Sequence, residues 1–127
     1  ALCDITIASD RARFSFPETA HRIMPTIAFS ALVDRMPRKA ATFMIYSAQE
    51  IDAHKALTFG LASDVVPENE LDKAVAKLVE HFGKMPLAAV LAVKEYAASA
   101  FGLGAQAATD FARNLHATVN SFSGMRS

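Results

Sequence analysis

Cysteine is nearly absent from this chain of 127 residues, and tryptophan is wholly absent. The one cysteine, Cys3, has no second cysteine with which to form an internal disulfide. No CxxC or HxxxH pair supplies the ligand spacing of a structural zinc site. We therefore expect no metal, and we infer a reducing, cytoplasmic setting for the protein.

An excess of charge of one sign is also missing. Thirteen Lys and Arg residues balance thirteen Asp and Glu residues, so the composition does not favour nucleic acid or an anionic membrane surface as a partner. The longest nearly apolar stretch, residues 85–93, contains Pro86 and is much shorter than the roughly 20 residues that a membrane-spanning helix needs. What remains is a globular composition, 52% hydrophobic and 20% charged, which is typical of a folded domain.

The apolar pattern predicts a mainly helical chain with three short strands. Alternation over residues 4–9 predicts the first strand, and residues 13–16 and 62–66 predict the other two. Three strands of this length cannot satisfy one another's backbone groups as a complete sheet, so we expect the rest of the sheet to come from residues outside this chain. The predicted helices span residues 26–35, 38–47, 52–59, 69–85, 87–101 and 105–119, with Pro25 and Pro37 at the first helical positions, Asp52 as a cap and Gly60 as a terminator.

Three short motifs follow one another in the first half of the chain. Cys3-Asp4 leads into the β-branched run ITIAS, and Phe16-Pro17-Glu18 places a carboxylate fourteen residues after Asp4. The segments QEIDAHKA (residues 49–56) and FGLASDVVP (residues 59–67) come next. These two segments are similar to the G-x-x-I-x-A-x-x-A and G-L-V-x-x-V-V-P patterns of the crotonase (enoyl-CoA hydratase/isomerase) superfamily, and the order of all the motifs resembles the middle of a crotonase chain.

The resemblance implies a truncated α/β crotonase fold, of which this chain is the C-terminal half, mainly α-helical with two or three short strands. Residues 1–67 are then expected to form the C-terminal part of the crotonase core, and residues 68–127 a C-terminal helical region used for oligomerisation. The parent enzyme is expected to be a trimer or hexamer in fatty acid metabolism. Its substrate is expected to be an acyl-CoA thioester, with no metal or redox cofactor.

Glu18 is the candidate catalytic residue. A glutamate that follows a proline at a strand end has a stiff backbone, and Phe14, Phe16 and Met24 are expected to limit the water around its carboxyl group, as suits a proton donor. The resemblance implies that Glu18 is a general acid/base that delivers a proton to the α-carbon of an enoyl-CoA. The residues alone leave an alternative open, in which the Glu18 carboxylate stabilises a helix N-terminus through the helix dipole.

Other parts of the family site are expected to lie before Cys3. The resemblance places a first catalytic glutamate and the two N–H donors of an oxyanion hole there, so we expect the 127 residues alone to be inactive. Pro25 and Thr26 are candidate substrate-binding residues. Hydratases often read P-G-x-G-G-T at this point, whereas this chain reads PTIAFS. The side chains that replace three glycines narrow the space there. Isomerisation, hydration of an aromatic or cyclic acyl group, and an altered activity within the family therefore stay open.

The remaining polar residues favour simpler interpretations. Glu18 and His21 have the Glu-x-x-His spacing of di-iron sites, but the second copy that such a site needs is missing from the sequence. Arg35, Arg38 and Lys39 form a basic cluster. This cluster is either a solvated surface or a contact for a CoA phosphate.

A second class of function stays open, namely a non-catalytic helical module for assembly or interaction. The stretch from residue 87 to 101 has only two charges, so we expect it to be covered on most sides and the chain to self-associate. Loss of the sheet is also expected to expose the apolar side chains of the preceding helices. These side chains are Ile27, Phe29, Leu32, Phe43, Met44, Ile45, Leu57 and Phe59.

Overall fold

The computed structural model describes residues 2–19 and 21–121. The chain divides into two compact units, residues 1–76 and 77–127, and the division falls within helix α4 (Leu71–Gly83). The first unit contains β1 (Ile7–Ser9), β2 (Arg13–Phe14), α1 (Thr26–Ser30), α2 (Arg38–Ser47), β3 (Ile51–Asp52), α3 (Ala53–Thr58) and β4 (Asp64–Val66), with 3-10 turns at Pro17–Thr19 and Glu68–Glu70. The second unit contains α5 (Leu87–Ala100) and α6 (Ala105–Ser121). The predicted roles of residues 1–67 and 68–127 stay a prediction.

The three predicted strands are present, each shorter than predicted, and they pair in two short sheets. Strand β1 is parallel to β4, with Ile7 opposite Asp64. Strand β2 is antiparallel to β3, with Phe14 opposite Ile51. The sequence did not predict β3, because a strand of two residues that ends at the helix cap Asp52 carries no periodicity of its own, and Ile51 and Asp52 resemble a helix start.

The helices from α2 to α6 begin and end within two residues of their predicted bounds, whereas α1 is shorter than predicted. It ends at Ser30 because the chain then changes to i→i+3 hydrogen bonds, in which the amide of Leu32 donates to the carbonyl of Phe29 at 3.0 Å and that of Arg35 to Leu32 at 3.2 Å. Asp34 adopts a φ of +61°. This left-handed conformation does not occur inside a right-handed helix.

The ends of the helices follow the predicted residues with one shift. Pro25 and Pro37 lie at the N-cap positions of α1 and α2, one residue earlier than predicted. The carbonyl of Pro37 accepts the first helical bond of α2, from the amide of Ala41 at 3.0 Å. Asp52 caps α3 as predicted, since its carboxylate accepts a hydrogen bond from the amide of Lys55 at 2.7 Å.

The core of the first unit is built around Leu32 and Met44, which are both completely buried. The prediction that these two side chains and Ile45 are exposed is therefore wrong. Helix α2 contributes small or flexible side chains that share one cluster with the alanines of α3, and small side chains let backbones approach closely at native packing density. The buried cluster consists of Ala8, Leu32, Met36, Ala40, Ala41, Met44, Ile45, Ile51, Ala53, Ala56 and Ala62. Of the other predicted side chains, Ile27, Phe43 and Leu57 are exposed, while Phe29 and Phe59 are partly buried.

Helices α5 and α6 of the second unit pack against each other through their aromatic residues. The rings of Tyr96 and Phe111 stack with centroids 5.6 Å apart, and the Tyr96 hydroxyl donates to the carbonyl of Ala108 at 3.3 Å. No residue of α5 is buried, and Leu91 is 56% exposed. The prediction that α5 is covered on most sides is therefore not met within the described part of this chain. Among the described residues, no helix has both the length and the apolar character to span a membrane.

Candidate active site

Glu18 lies at the point where the chain leaves the small β2–β3 sheet. The preceding Phe14 and Phe16 are partly buried and pack against the core of the first unit. Glu18 then occupies the middle of the 3-10 turn Pro17–Thr19, and this turn lies against helix α2. The ring of Pro17 restricts the backbone on one side of Glu18. A packed strand end and a proline therefore set the point from which the glutamate side chain projects.

The backbone of Glu18 is also held on its other side. Its carbonyl oxygen accepts two hydrogen bonds, from the amide of His21 at 3.1 Å and from the amide of Ile23 at 2.8 Å. The chain reverses at Arg22, which has a φ of +59°. Two donors on one carbonyl resist rotation of the peptide group, so the Cα–Cβ direction of Glu18 is well defined.

One oxygen atom of the Glu18 carboxylate is buried and has no hydrogen bond within the described residues. The side chain is partly buried, and its Oε2 atom is buried without a hydrogen-bond partner in the described residues. Buried polar atoms are nearly always paired in native proteins, so an unpaired one calls for an explanation such as a catalytic role or a bound partner. A carboxyl group in this state is suited to exchange a proton with a ligand.

The three hydrophobic neighbours predicted for Glu18 differ in their exposure. Phe14 and Phe16 are partly buried and pack against the core, whereas Met24 is 75% exposed. Pro25 is partly buried at the start of α1, and its carbonyl accepts a hydrogen bond from the amide of Phe29 at 2.7 Å. Thr26 is exposed. The substrate-binding role of Pro25 and Thr26 stays a prediction.

The imidazole and basic side chains lie on the surface of the described chain. His21, His54, His81 and His116 are all exposed. In the described part of the chain, no group of three or more His, Cys, Asp or Glu residues could hold a metal ion. Of the basic cluster, Arg35 lines a surface cavity together with Cys3, Asp4 and Ser63, while Arg38 and Lys39 are exposed on α2. The structure thus does not gather the three basic residues around one cavity.

A model of the enoyl-CoA hydratase/isomerase family matches residues 1–126. The chain belongs to the enoyl-CoA hydratase/isomerase family. The short-chain-enoyl-CoA hydratase of Clostridioides difficile is 36% identical to it over 121 residues, which cover 94% of this chain and 74% of that relative. The mitochondrial enoyl-CoA hydratase domain-containing protein 3 of Homo sapiens is 34% identical over 85 residues, which cover 67% of this chain and 28% of that relative.

Solved structures of the same family match the fold of this family member closely. The crystal structure of human enoyl-CoA hydratase domain-containing protein 3 has a TM-score of 0.92 and 25% identity, and the match covers 98% of this chain and 49% of that chain. A Thermobifida fusca protein described as an enoyl-CoA hydratase, solved in complex with CoA, has a TM-score of 0.85 and 31% identity, and the match covers 94% and 47%. The predicted superfamily and its fold are thereby confirmed. The chain spans about half the length of these solved relatives.

The vertebrate members of the family correct one prediction. The domain-containing protein 3 relatives of Xenopus laevis, Rattus norvegicus, Homo sapiens and Mus musculus are all named as mitochondrial. This contradicts the cytoplasmic setting inferred from the single cysteine. A low cysteine content indicates a reducing environment, and the redox state alone does not tell one compartment from another.

The sequence did not predict the left-handed backbone of Arg22. Its left-handed backbone is a property of the folded turn, and the residue type carries no signal for it, because glycine, asparagine and aspartate are the usual residues at positive φ. The sequence indicated only that Arg22 lies between Glu18 and Pro25.

Proposed function

We propose that the protein containing this chain is an enoyl-CoA hydratase that acts on an acyl-CoA thioester, with Glu18 as its acid/base. One observation carries the proposal: Oε2 of Glu18 is buried and unpaired, on a backbone held by two amide donors. A proton donor must be fixed within hydrogen-bonding reach of its target while keeping its own bonding capacity free for that target. The held backbone and the unpaired Oε2 atom of Glu18 support such a role.

The reaction is an addition of water across the α,β double bond of the thioester. The water oxygen bonds to the β-carbon, the π electrons move to the thioester oxygen to form an enolate, and the proton of the Glu18 carboxyl group goes to the α-carbon. A second base takes the proton from the water. The resemblance places before Cys3 a partner glutamate that orients this water at the β-carbon, and we assign the base to it. No oxidant or reductant is consumed, so the scheme needs no redox cofactor.

The relatives support this class of substrate. The C. difficile relative is a short-chain-enoyl-CoA hydratase, and a relative from Escherichia coli, 36% identical over 69 residues, is a 2,3-dehydroadipyl-CoA hydratase. The T. fusca structure contains CoA. These relatives differ in the acyl group. Residues Thr26–Ser30, which form helix α1 here, carry side chains where hydratases often have glycine. The acyl group of this protein and an isomerase activity therefore stay open. No observation favours the non-catalytic assembly module over the enzyme.

The complete protein that contains these residues provides the test. Hydration of a short trans-2-enoyl-CoA removes the absorbance of the conjugated thioester, which gives kcat and KM directly. Glu18→Gln keeps the shape of the side chain and removes its acid, so kcat should fall by about 10²- to 10⁴-fold. The matched control is Glu50→Gln, which changes an exposed carboxylate in the same unit and should leave kcat unchanged.

The outcome separates the catalytic role from a structural one. If Glu18→Gln retains its fold and its kcat lies within about threefold of the wild type, proton transfer by Glu18 is excluded. We also propose that the 127 residues alone do not hydrate this substrate, since the resemblance places the oxyanion donors outside them and such donors are typically the largest catalytic term. Hydration by the purified 127-residue chain that persists on dilution and is lost in Glu18→Ala would contradict this second proposal.

A further inference from the structure

Arg22 has a backbone conformation that its residue type disfavours. Its φ is +59°, and its side chain is exposed. An L-residue other than glycine in the left-handed region brings its Cβ close to the backbone, and such strain persists only where the surrounding structure imposes it. Residues of this kind cluster at functional sites, and Arg22 follows four residues after the candidate acid/base Glu18.

The conformation of Arg22 has a direct consequence for Glu18. With Arg22 in the left-handed region, the amide of Ile23 turns back and donates to the carbonyl of Glu18 at 2.8 Å. This is the 6→1 hydrogen bond of a Schellman motif, in which the left-handed residue immediately precedes the donor. An extended or right-handed backbone at Arg22 would direct the Ile23 amide elsewhere. One of the two donors that hold the Glu18 peptide group would then be lost.

We propose that Arg22 is a positioning residue, which sets the direction of the Glu18 carboxylate through its backbone and not through its guanidinium group. The proposal rests on the proposed function, because it matters only if Glu18 transfers the proton. The strained turn keeps the buried Oε2 atom at one place, and a displacement of about 1 Å at a reacting group can reduce the rate about 100-fold.

Three substitutions of Arg22 in the complete protein separate the backbone from the side chain. Arg22→Gly removes the strain and keeps the turn, so kcat should stay near the wild-type value and the melting temperature should not fall. Arg22→Ala removes the guanidinium group and keeps a Cβ, so its kcat should resemble that of the wild type. Arg22→Val makes the left-handed conformation more costly and should lower kcat by about 10- to 100-fold, with KM nearly unchanged.

Asp34→Val is the matched control. Asp34 is exposed and has a φ of +61°, so the same substitution imposes the same kind of backbone strain away from the Glu18 turn. It should lower the melting temperature at least as much as Arg22→Val, because aspartate tolerates the left-handed backbone better than arginine does, and it should not lower kcat. If both valine variants lower kcat equally, the effect is one of general stability and the proposal is wrong.

A double variant distinguishes this inference from the proposed function. Once Glu18→Gln has removed the acid, Arg22→Val has nothing left to position and should lower kcat no further. If Glu18→Gln lowers kcat but Arg22→Val does not, only the positioning role fails. If Arg22→Gly and Arg22→Ala lower kcat as much as Arg22→Val, the guanidinium group is responsible and the backbone role is overturned.

Discussion

Asp52 and Gly60 hold the two ends of helix α3, each through a different effect on the backbone. Asp52 accepts a hydrogen bond from the amide of Lys55 at 2.7 Å, which satisfies one of the free donors in the first turn. Gly60 has a φ of +77°, and the next amide, that of Leu61, donates to the carbonyl of Ala56 at 2.9 Å. The end of α3 and the turn after Glu18 thus have the same hydrogen-bonding pattern, with glycine in one and arginine in the other.

We expect Asp52→Ala to destabilise the protein by about 1 kcal/mol, because the amide of Lys55 loses its acceptor. Asp52→Ser keeps a side-chain oxygen at the cap and should retain most of the stability. Urea unfolding followed by circular dichroism measures the difference. Equal unfolding midpoints for Asp52→Ala and the wild type would show that water replaces the cap without loss.

Helix α2 has one buried side and one exposed side. Its inward positions are Ala40, Ala41, Met44 and Ile45, all buried, while Tyr46 is 84% exposed. This separation follows the helical repeat, since residues three and four apart lie on one face. The Glu18 turn lies against this helix, so the packing of α2 also supports the candidate site.

Met44→Ala is expected to lower the free energy of unfolding by about 2 to 5 kcal/mol, because it removes a completely buried side chain and leaves a cavity. Tyr46→Ala, two positions further on the same helix, is the control and should change the stability by less than about 0.5 kcal/mol. Both values come from urea unfolding of the complete protein. If the two variants are destabilised equally, the side of α2 that faces the core has been assigned incorrectly.

Exposed apolar side chains are frequent in the described part of the chain, and α5 shows this most clearly. Leu87, Leu91 and Val93 are all more than half exposed, and no residue of α4, α5 or α6 is buried. Monomeric proteins rarely expose contiguous apolar patches larger than a few hundred Å². The parent protein is expected to be a trimer or hexamer with α5 in a contact between copies. The exposure of α5 favours this arrangement, which stays a prediction.

We expect the 127-residue chain to self-associate at micromolar concentration, because burying each such side chain stabilises a contact by about 1.5 to 3 kcal/mol before the costs of association. Sedimentation velocity over a hundredfold range of concentration measures this. Leu91→Glu should lower the average mass, whereas Ala97→Glu, at an exposed small residue of the same helix, should change it less. A single species of 13.7 kDa at every concentration would exclude self-association.

The local pattern of the sequence determined most of the helices and pointed to Glu18. Helical periodicity, prolines and caps act over a few neighbouring residues, so the bounds of α2 to α6 and the cap at Asp52 could be predicted without a structure. Glu18 could be singled out for a similar reason, because the Phe-Pro-Glu motif is contiguous and its distance from Asp4 is fixed along the chain. The family followed from several such motifs in order.

Only the tertiary structure decided which side chains are buried, where the strands pair and how the Glu18 turn closes. Ile7 pairs with Asp64, 57 positions later, and a pattern of neighbouring residues does not name a partner so far away. For the same reason the burial of Leu32 and Met44, the exposure of Met24 and the short strand β3 were missed or predicted wrongly. The left-handed backbone of Arg22 belongs to this group as well, because the conformation is favourable only once the Ile23 amide has found the carbonyl of Glu18.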